Sequence, residues 1–289
     1  MIKDFSSWLE YEGASEGSGR SEKIWLKNPS NNDIGLFKFP KSEYTTEHIS
    51  EKVAADIAQL INIDCMKVEL GQYYSRKGSL SHRINKKGEN LIEGVRLINK
   101  YYPSYNPNTL YDEEKGEYYS LEMVLNSLKE YSFQKEIFKV LIFDFLIGNT
   151  DRHQNNWAIL QDEDDIRFCP LYDNGSSLCC YLLESKLEGY LGNDKIRFQS
   201  LVDTKSRSRI RIDKNKEKEP THLEVLEYLK NNYYNDVIDI IKTVDYNVNE
   251  NSIDSILEPY VGIINEKREA LIKKFLIEKV NLMKKQFNL

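Results

Sequence analysis

The stretch from Phe133 to Ile147 is apolar on most sides, and a helix of that character has to be buried. Gly148 ends it, because glycine alone enters the left-handed conformation at no steric cost, and releases the chain into the polar segment Gly148-Asn149-Thr150-Asp151-Arg152-His153-Gln154-Asn155-Asn156. Two apolar runs follow, Trp157 to Leu160 and Ile166 to Cys169. They read as strands joined by a turn at Asp162-Glu163-Asp164-Asp165, and Tyr172-Asp173-Asn174-Gly175 comes after them. In an antiparallel hairpin of this kind Asn156 at the start and Asp173 just past the end lie at the same open end. Neighbouring strands sit about 4.8 Å apart, so one ion can touch both side chains.

Each residue alone has an ordinary explanation, since Asp and Asn are the usual turn formers and an Asp-Arg-His stretch is commonly a solvated surface. The combination points elsewhere. Phosphoryl transfer asks for a carboxylate at the attacking hydroxyl, oxygen ligands for magnesium and cations along the phosphates. Asp151 supplies the first, while the amide oxygen of Asn156 and the carboxylate of Asp173 are hard donors suited to magnesium. His153, two residues after Asp151, either orients this loop or takes part in proton transfer.

The upstream pattern supplies the cation. Lys23 to Lys27 and Ile34 to Phe39 are apolar strands around the turn formers Asn28 to Asp33. A helix is predicted from Glu47 to Ile61, with Ile49, Val53, Ile57 and Leu60 at helical spacing and Thr45 or Thr46 as its cap. Met66 to Ser75 and Ser79 to Ile84 read as two further strands. Hairpin, helix, hairpin is the order of a kinase small lobe. Lys38 is the lone charge in Gly35-Leu36-Phe37-Lys38-Phe39-Pro40 and the candidate for gripping nucleotide phosphates, its ordinary alternative being an edge-strand guard. Glu51 or Glu47, one turn apart on the helix, is placed to face it. Before the first strand, the glycine- and serine-rich stretch Gly13 to Lys23, with Gly17, Ser18, Gly19, Ser21 and Lys23, suits a phosphate-cupping loop, although such a stretch near a terminus also serves as a linker. Leu91, Ile92 and Glu93 in Asn90 to Gly94 are hinge candidates for adenine, and a helix start fits the same residues.

The stretch Asn149-Thr150-Asp151-x-His153-x-x-Asn156 followed by Leu171-Tyr172-Asp173 resembles the HipA-like bacterial serine/threonine kinases. Asp151-Arg152-His153-x-x-Asn156 also resembles the phosphatidylinositol 3- and 4-kinases. Tyr172 before Asp173 is the HipA-like form, and the Leu-x-Lys-Phe-Pro run around Lys38 and the register of Glu51 before Val53 to Ala58 are similar to that family too. The resemblance implies an α+β, two-lobed protein-kinase-like fold, with a small β-rich N-lobe carrying one helix over 1–95 and a larger helical C-lobe over 96–289. It implies ATP and Mg2+ as cofactors, Asp151 as the catalytic Asp, Asn156 and Asp173 as metal ligands, and a loop in which Ser15, Ser18 or Ser21 is autophosphorylated. The implied activity is a protein serine/threonine kinase, acting as the toxin of a toxin–antitoxin system or as a secreted effector. A lipid or small-molecule kinase and a nucleotide-binding pseudokinase scaffold are the competing expectations. Full-length HipA-like toxins carry a further N-terminal domain, whereas only residues 1–12 precede the loop here. That arrangement suits a stand-alone form or half of a split pair with a small antitoxin or DNA-binding partner.

Composition narrows the setting. A net charge of -6 argues against direct nucleic-acid binding, because a negative surface repels phosphate backbones unless a basic patch overrides it. The run Lys205-Ser206-Arg207-Ser208-Arg209-Ile210-Arg211 is such a patch, read first as a solvated loop and second as a phosphate or substrate contact. The 4 cysteines have neither Cys-x-x-Cys pairing nor histidines at zinc-finger spacing, so a metal cluster or disulfide framework is not expected. No stretch has the order of a signal peptide or the length of a membrane span, and the longest apolar run, Val140 to Ile147, contains Asp144. The expectation is a cytoplasmic protein with no membrane partner, which binds nucleotide and a protein substrate bearing Ser or Thr. Delivery by a dedicated secretion system would leave no mark in this reading.

Overall fold

The computed structural model describes residues 2–13 and 22–289. Its first part is a six-stranded sheet in the order β1-β5-β6-β4-β3-β2, formed by β1 (Lys3–Asp4), β2 (Leu9–Glu10), β3 (Lys23–Lys27), β4 (Ile34–Lys38), β5 (Val68–Tyr73) and β6 (Arg76–His82). All pairings are antiparallel except β1 with β5. The two-residue edge strands β1 and β2 have no sequence period of their own and exist through pairing with longer neighbours. Asn28 to Asp33 close the β3–β4 hairpin: Asn32 takes φ 63°, and the Asn28 N–H donates to the Asp33 carbonyl at 2.8 Å. On β4 the buried Phe37 joins Phe5, Leu26, Phe39, Tyr73 and Leu80 in the sheet's own core. Gly78 lies against this strand, and a Cβ there would stand 2.4 Å from the Lys38 carbonyl. Only glycine allows the two strands to approach so closely.

Helix α1 (Glu47–Leu60) packs on β5 and β6. Ile49, Val53, Ile57 and Ile61 of this region enter the main core, whereas Leu60 is only partly buried. Thr46 occupies the N-cap, as expected, but its side chain makes no capping bond; instead its N–H donates to the Cys180 carbonyl at 3.1 Å.

Next come β7 (Asn90–Glu93), α2 (Gly94–Tyr101), a small sheet of β8 (Tyr105–Asn106), β9 (Tyr111–Asp112) and β10 (Glu117–Tyr118), and α3 (Leu121–Ser127). Helix α4 (Gln134–Ile147) is buried from Val140 to Ile147, and each large apolar side chain so placed contributes roughly 1.5–3 kcal/mol. Gly148 stands at φ 66° as the C-cap, and the Asn149 N–H reaches the Asp144 carbonyl at 2.9 Å. The expected hairpin follows as β11 (Ala158–Gln161) and β12 (Ile166–Phe168), with β7 added to the free edge of β11.

The chain closes with α5 (Glu184–Leu191), α6 (Lys195–Val202), α7 (His222–Asn247), α8 (Glu250–Leu257) and α9 (Glu266–Phe287). Helix α7 is kinked at Tyr233, where φ is -138°, and a 3-10 turn over Glu258–Tyr260 leads from α8 toward α9. Among the described residues no helix is long and apolar enough to cross a membrane.

Candidate active site

The end of β4, the start of α1, the loop after α4 and the segment after β12 converge. Lys38 Nζ lies 2.6 Å from Oδ1 of Asp173, with the two side chains 21% and 44% exposed. Burial opposes the ammonium charge, but the carboxylates of Asp173 and Glu51 outweigh it and hold Lys38 well above the usual lysine range. The same ammonium holds Asp173 below the usual carboxylate range.

Glu51 does not take the hydrogen bond from Lys38 that its position on α1 suggested. Its Oε1 accepts the Asn174 N–H at 2.9 Å, so it clamps the backbone just after Asp173 and acts on Lys38 by charge alone. Burial pushes Glu51 up, against the pull of Lys38. Asp173 itself stands at φ 57°, a left-handed conformation that Asp tolerates better than most residues, and this clamp supports it.

The loop after Gly148 is fixed by Arg152, which spacing alone did not assign a role. The guanidinium is buried and donates to Asp144 on α4 (Nη2 to Oδ1, 2.8 Å), to the carbonyls of Asn156 (2.8 Å) and Tyr172 (2.9 Å), and to Asn174 Oδ1 (2.6 Å). One side chain therefore ties the core helix both to the loop after Gly148 and to the Tyr172–Asn174 segment. Burial opposes its charge and Asp144 more than compensates, raising Arg152 above its ordinary value. Asn149 completes the frame, donating to Asp144 at 2.9 Å and accepting the Asp151 N–H at 3.1 Å. Tyr172 contributes through its hydroxyl, which donates to the Asn155 carbonyl at 2.8 Å.

Within this frame the buried Asn156 uses its amide nitrogen on the Asp151 carbonyl at 2.7 Å, which turns its Oδ1 the other way. His153 accepts the Asn155 N–H on Nδ1 at 3.2 Å, so the neutral ring carries its proton on Nε2; burial lowers its affinity for a second proton. This makes His153 a part of the loop's internal bonding. Asp151 is partly exposed, with Arg209 Nε 3.6 Å from its Oδ1.

The basic run to which Arg209 belongs is not a solvated loop. Ser206, Ser208, Ile210 and Arg211 are buried, Arg207 donates to the Glu219 carbonyl, and Arg211 Nε donates to the Glu217 carbonyl at 2.8 Å. Its carbonyl and acidic partners lie up to twelve residues downstream, which is why local charge counting misreads it.

Across from this loop, Lys23 on β3 stands directly opposite Lys38, and Glu93 on β7 lies within electrostatic reach of Lys23. The hinge candidates are a strand rather than a helix start: Leu91, Ile92 and Glu93 pair with Leu160, Ile159 and Ala158. The Gly94 N–H donates to the Trp157 carbonyl at 2.9 Å, so the antiparallel alternation turns the backbone groups of Leu91 and Glu93 away from β11. Gly17, Ser18, Gly19 and Ser21, with Ser15, lie outside the described residues.

The metal donors expected from the sequence are one carboxylate, Asp173, and one amide oxygen, Asn156. Among the described residues no group of three or more His, Cys, Asp or Glu side chains could hold an ion. Two oxygen donors fit magnesium, which keeps waters and takes its remaining ligands from phosphates. They do not fit a structural zinc site.

A lysine on a sheet strand, a helix carboxylate behind it, and an Asp-Asn loop facing a second Asp make up the layout of a kinase-like fold. The chain belongs to the family of the HipA-like C-terminal domain, whose model matches residues 15–246. It is 26% identical over 169 residues to the serine/threonine-protein kinase CtkA of Helicobacter pylori, and that match spans 51% of this chain and 48%, about half, of the relative. The crystal structure of the Helicobacter pylori proinflammatory kinase CtkA is similar over 99% of this chain and 98% of its own, with a TM-score of 0.82 at 20% identity. A chain in the complex of Shewanella oneidensis MR-1 HipA, HipB and operator DNA matches 97% of this chain over 67% of its own length, with a TM-score of 0.61 at 13% identity. At those identities the likeness shows the fold.

Proposed function

We propose that this chain is an ATP- and magnesium-dependent protein serine/threonine kinase of HipA type that also phosphorylates itself. The observation that carries the reading is the meeting of Lys38 with Asp173 beside the loop holding Asp151 and Asn156. Asp151 takes the proton of the acceptor hydroxyl as its oxygen bonds to the γ-phosphorus and the bond to ADP breaks. Lys38 aligns the phosphates, and the outward backbone groups of Leu91 and Glu93 receive adenine, with Ile92 holding the strand to β11. Asn156 and Asp173 would hold magnesium, which would supply charge neutralisation on the phosphates. Residues 1–95 and 96–289 act as the two lobes around this cleft. By its sequence the glycine- and serine-rich segment with Gly17, Ser18, Gly19 and Ser21 is the candidate phosphate loop, and Ser15, Ser18 and Ser21 are the candidate self-acceptors.

The complex of HipA with HipB and operator DNA motivates a small antitoxin-like partner for this chain as well. Radiolabelled ATP offered with magnesium and protein, phosphoinositide and aminoglycoside acceptors tests the activity, and mass spectrometry of the protein after incubation reports any modified serine. Label in protein alone is expected. Label only in lipid or drug would replace the reading by a small-molecule kinase, and nucleotide binding without any transfer would replace it by a scaffold.

A further inference from the structure

Arg209 reaches the proposed base from a segment far along the chain, and it is held before any acceptor arrives. The Ser208 N–H donates to the Pro220 carbonyl at 3.0 Å, the Ile210 N–H to Ser208 Oγ at 3.1 Å, and the Arg211 N–H to the Tyr119 carbonyl at 3.2 Å. Glu219 is fixed equally well, two residues before Thr221, which caps α7 with a reciprocal bond to Glu224. The Arg209 guanidinium spans the two carboxylates: Nη1 lies 2.7 Å from Glu219 Oε1, and Nε lies 3.6 Å from Asp151 Oδ1. Asp151 and Arg209 are 35% and 40% exposed, and an ion pair so accessible adds little to stability. Its consequence lies at Asp151. A base on a loop must present one oxygen to the acceptor, and a fixed cation on the other oxygen sets that orientation.

We propose that Arg209 is a positioning residue for phosphoryl transfer, holding Asp151 through Oδ1 so that Oδ2 meets the acceptor hydroxyl, with Glu219 holding Arg209 in turn. The inference rests on the kinase reading above. Because Arg209 acts on the base and not on the nucleotide, its loss lowers kcat while KM for ATP stays put. Because Glu219 acts through Arg209, the two losses do not multiply.

The test uses the full chain with labelled ATP, magnesium and dephosphorylated casein, with label on the chain itself as the second readout. Arg209→Gln is expected to lower kcat about 10- to 100-fold, with KM for ATP within about twofold. Arg209→Lys restores part of the rate, since it returns the charge without the planar fork. Glu219→Gln costs less, and Arg209→Gln with Glu219→Gln is no slower than Arg209→Gln alone. Calorimetric binding of ATP with magnesium guards against misfolded variants. A kcat for Arg209→Gln within about twofold of the parent overturns the proposal, as do losses that multiply in the double variant. Asp151→Asn is measured alongside. If it is inactive while Arg209→Gln is fully active, only the role of Arg209 falls; if it is as active as the parent, or the parent transfers no label, the reading beneath falls too.

Discussion

Lys38 and Asp173 are 135 residues apart in the chain and form a direct ion pair, Nζ to Oδ1, at 2.6 Å. On the proposed reading each is the other's stand-in, the ammonium on the carboxylate where magnesium would bind and the carboxylate on the ammonium where a phosphate would, and binding of magnesium nucleotide would exchange one pair for two. Lys38→Met is therefore expected to weaken calorimetric binding of ATP with magnesium by about 10- to 100-fold, the loss of one charge-assisted contact. With Asp173 44% exposed, the change in folding stability should stay within about 1 kcal/mol. Asp173→Ala should likewise weaken binding, and only when magnesium is present. Unchanged affinity in Lys38→Met would remove this lysine from the nucleotide site.

In the proposed mechanism Asp151 serves the acceptor and not the phosphates, so its loss should behave differently. Asp151→Asn is expected to lower kcat by about 10²- to 10⁴-fold, the usual worth of a positioned base, with nucleotide affinity unchanged. Steady-state rates paired with calorimetry separate the two effects. A loss of affinity as large as the loss of rate would place Asp151 on the nucleotide side.

Arg152 and Asp144 are buried and bonded to each other, so removing one strands the other. Asp144→Ala is expected to cost about 3–5 kcal/mol in urea denaturation, a loss typical of an uncompensated buried charge. Arg152→Met should cost a similar amount and also loosen the loop from the Tyr172–Asn174 segment, which Arg152 bridges at 2.9 Å and 2.6 Å. Changes below about 1 kcal/mol would mean that the frame does not depend on this pair.

These pairs separate what the sequence made legible from what it did not. The β3–β4 hairpin, α1, Gly148 and the β11–β12 hairpin are local structures, written in apolar periodicity and turn residues, and the structure has them within a residue or two of their expected limits. The ion pairs are tertiary. Glu51 looked like a partner for Lys38 because its place on the helix was read as facing the lysine strand, but the left-handed backbone at Asp173 presents the Asn174 N–H to it first. The basic run looked solvated because its partners, the Glu217 and Glu219 carbonyls and the Glu219 side chain, follow a turn later and face back. Arg152 had a readable signal, for Asp144 is a lone carboxylate inside the apolar run Val140 to Ile147, and such a group requires a buried cation. The strands of two residues carry no signal at all, since pairing with neighbours is their only cause.

A last consequence concerns Lys279, which is fully buried on α9 with its Nζ 2.8 Å from Ser206 Oγ and stacked over the Phe145 and Phe275 rings. The imidazole Nδ1 of His222 shares the same hydroxyl at 2.9 Å, and burial keeps that ring neutral, so among the described residues no carboxylate pairs directly with the ammonium. Burial accordingly lowers Lys279 from 10.5 to about 7. Below pH 7 folded and unfolded chains both carry this proton, and the folded state bears the whole desolvation penalty. Between about 7 and 10.5 the unfolded chain binds the proton and the folded chain does not, so stability rises with pH across that window. A displacement of that size corresponds to a penalty on the order of 5 kcal/mol at acid and neutral pH. Lys279→Met keeps the aliphatic contacts and removes the charge, so its stability should exceed that of the parent at pH 6, with the margin shrinking by pH 9. Urea denaturation of both proteins at pH 6, 7.5 and 9 reads this directly, and a margin independent of pH would show that Lys279 does not titrate in this range.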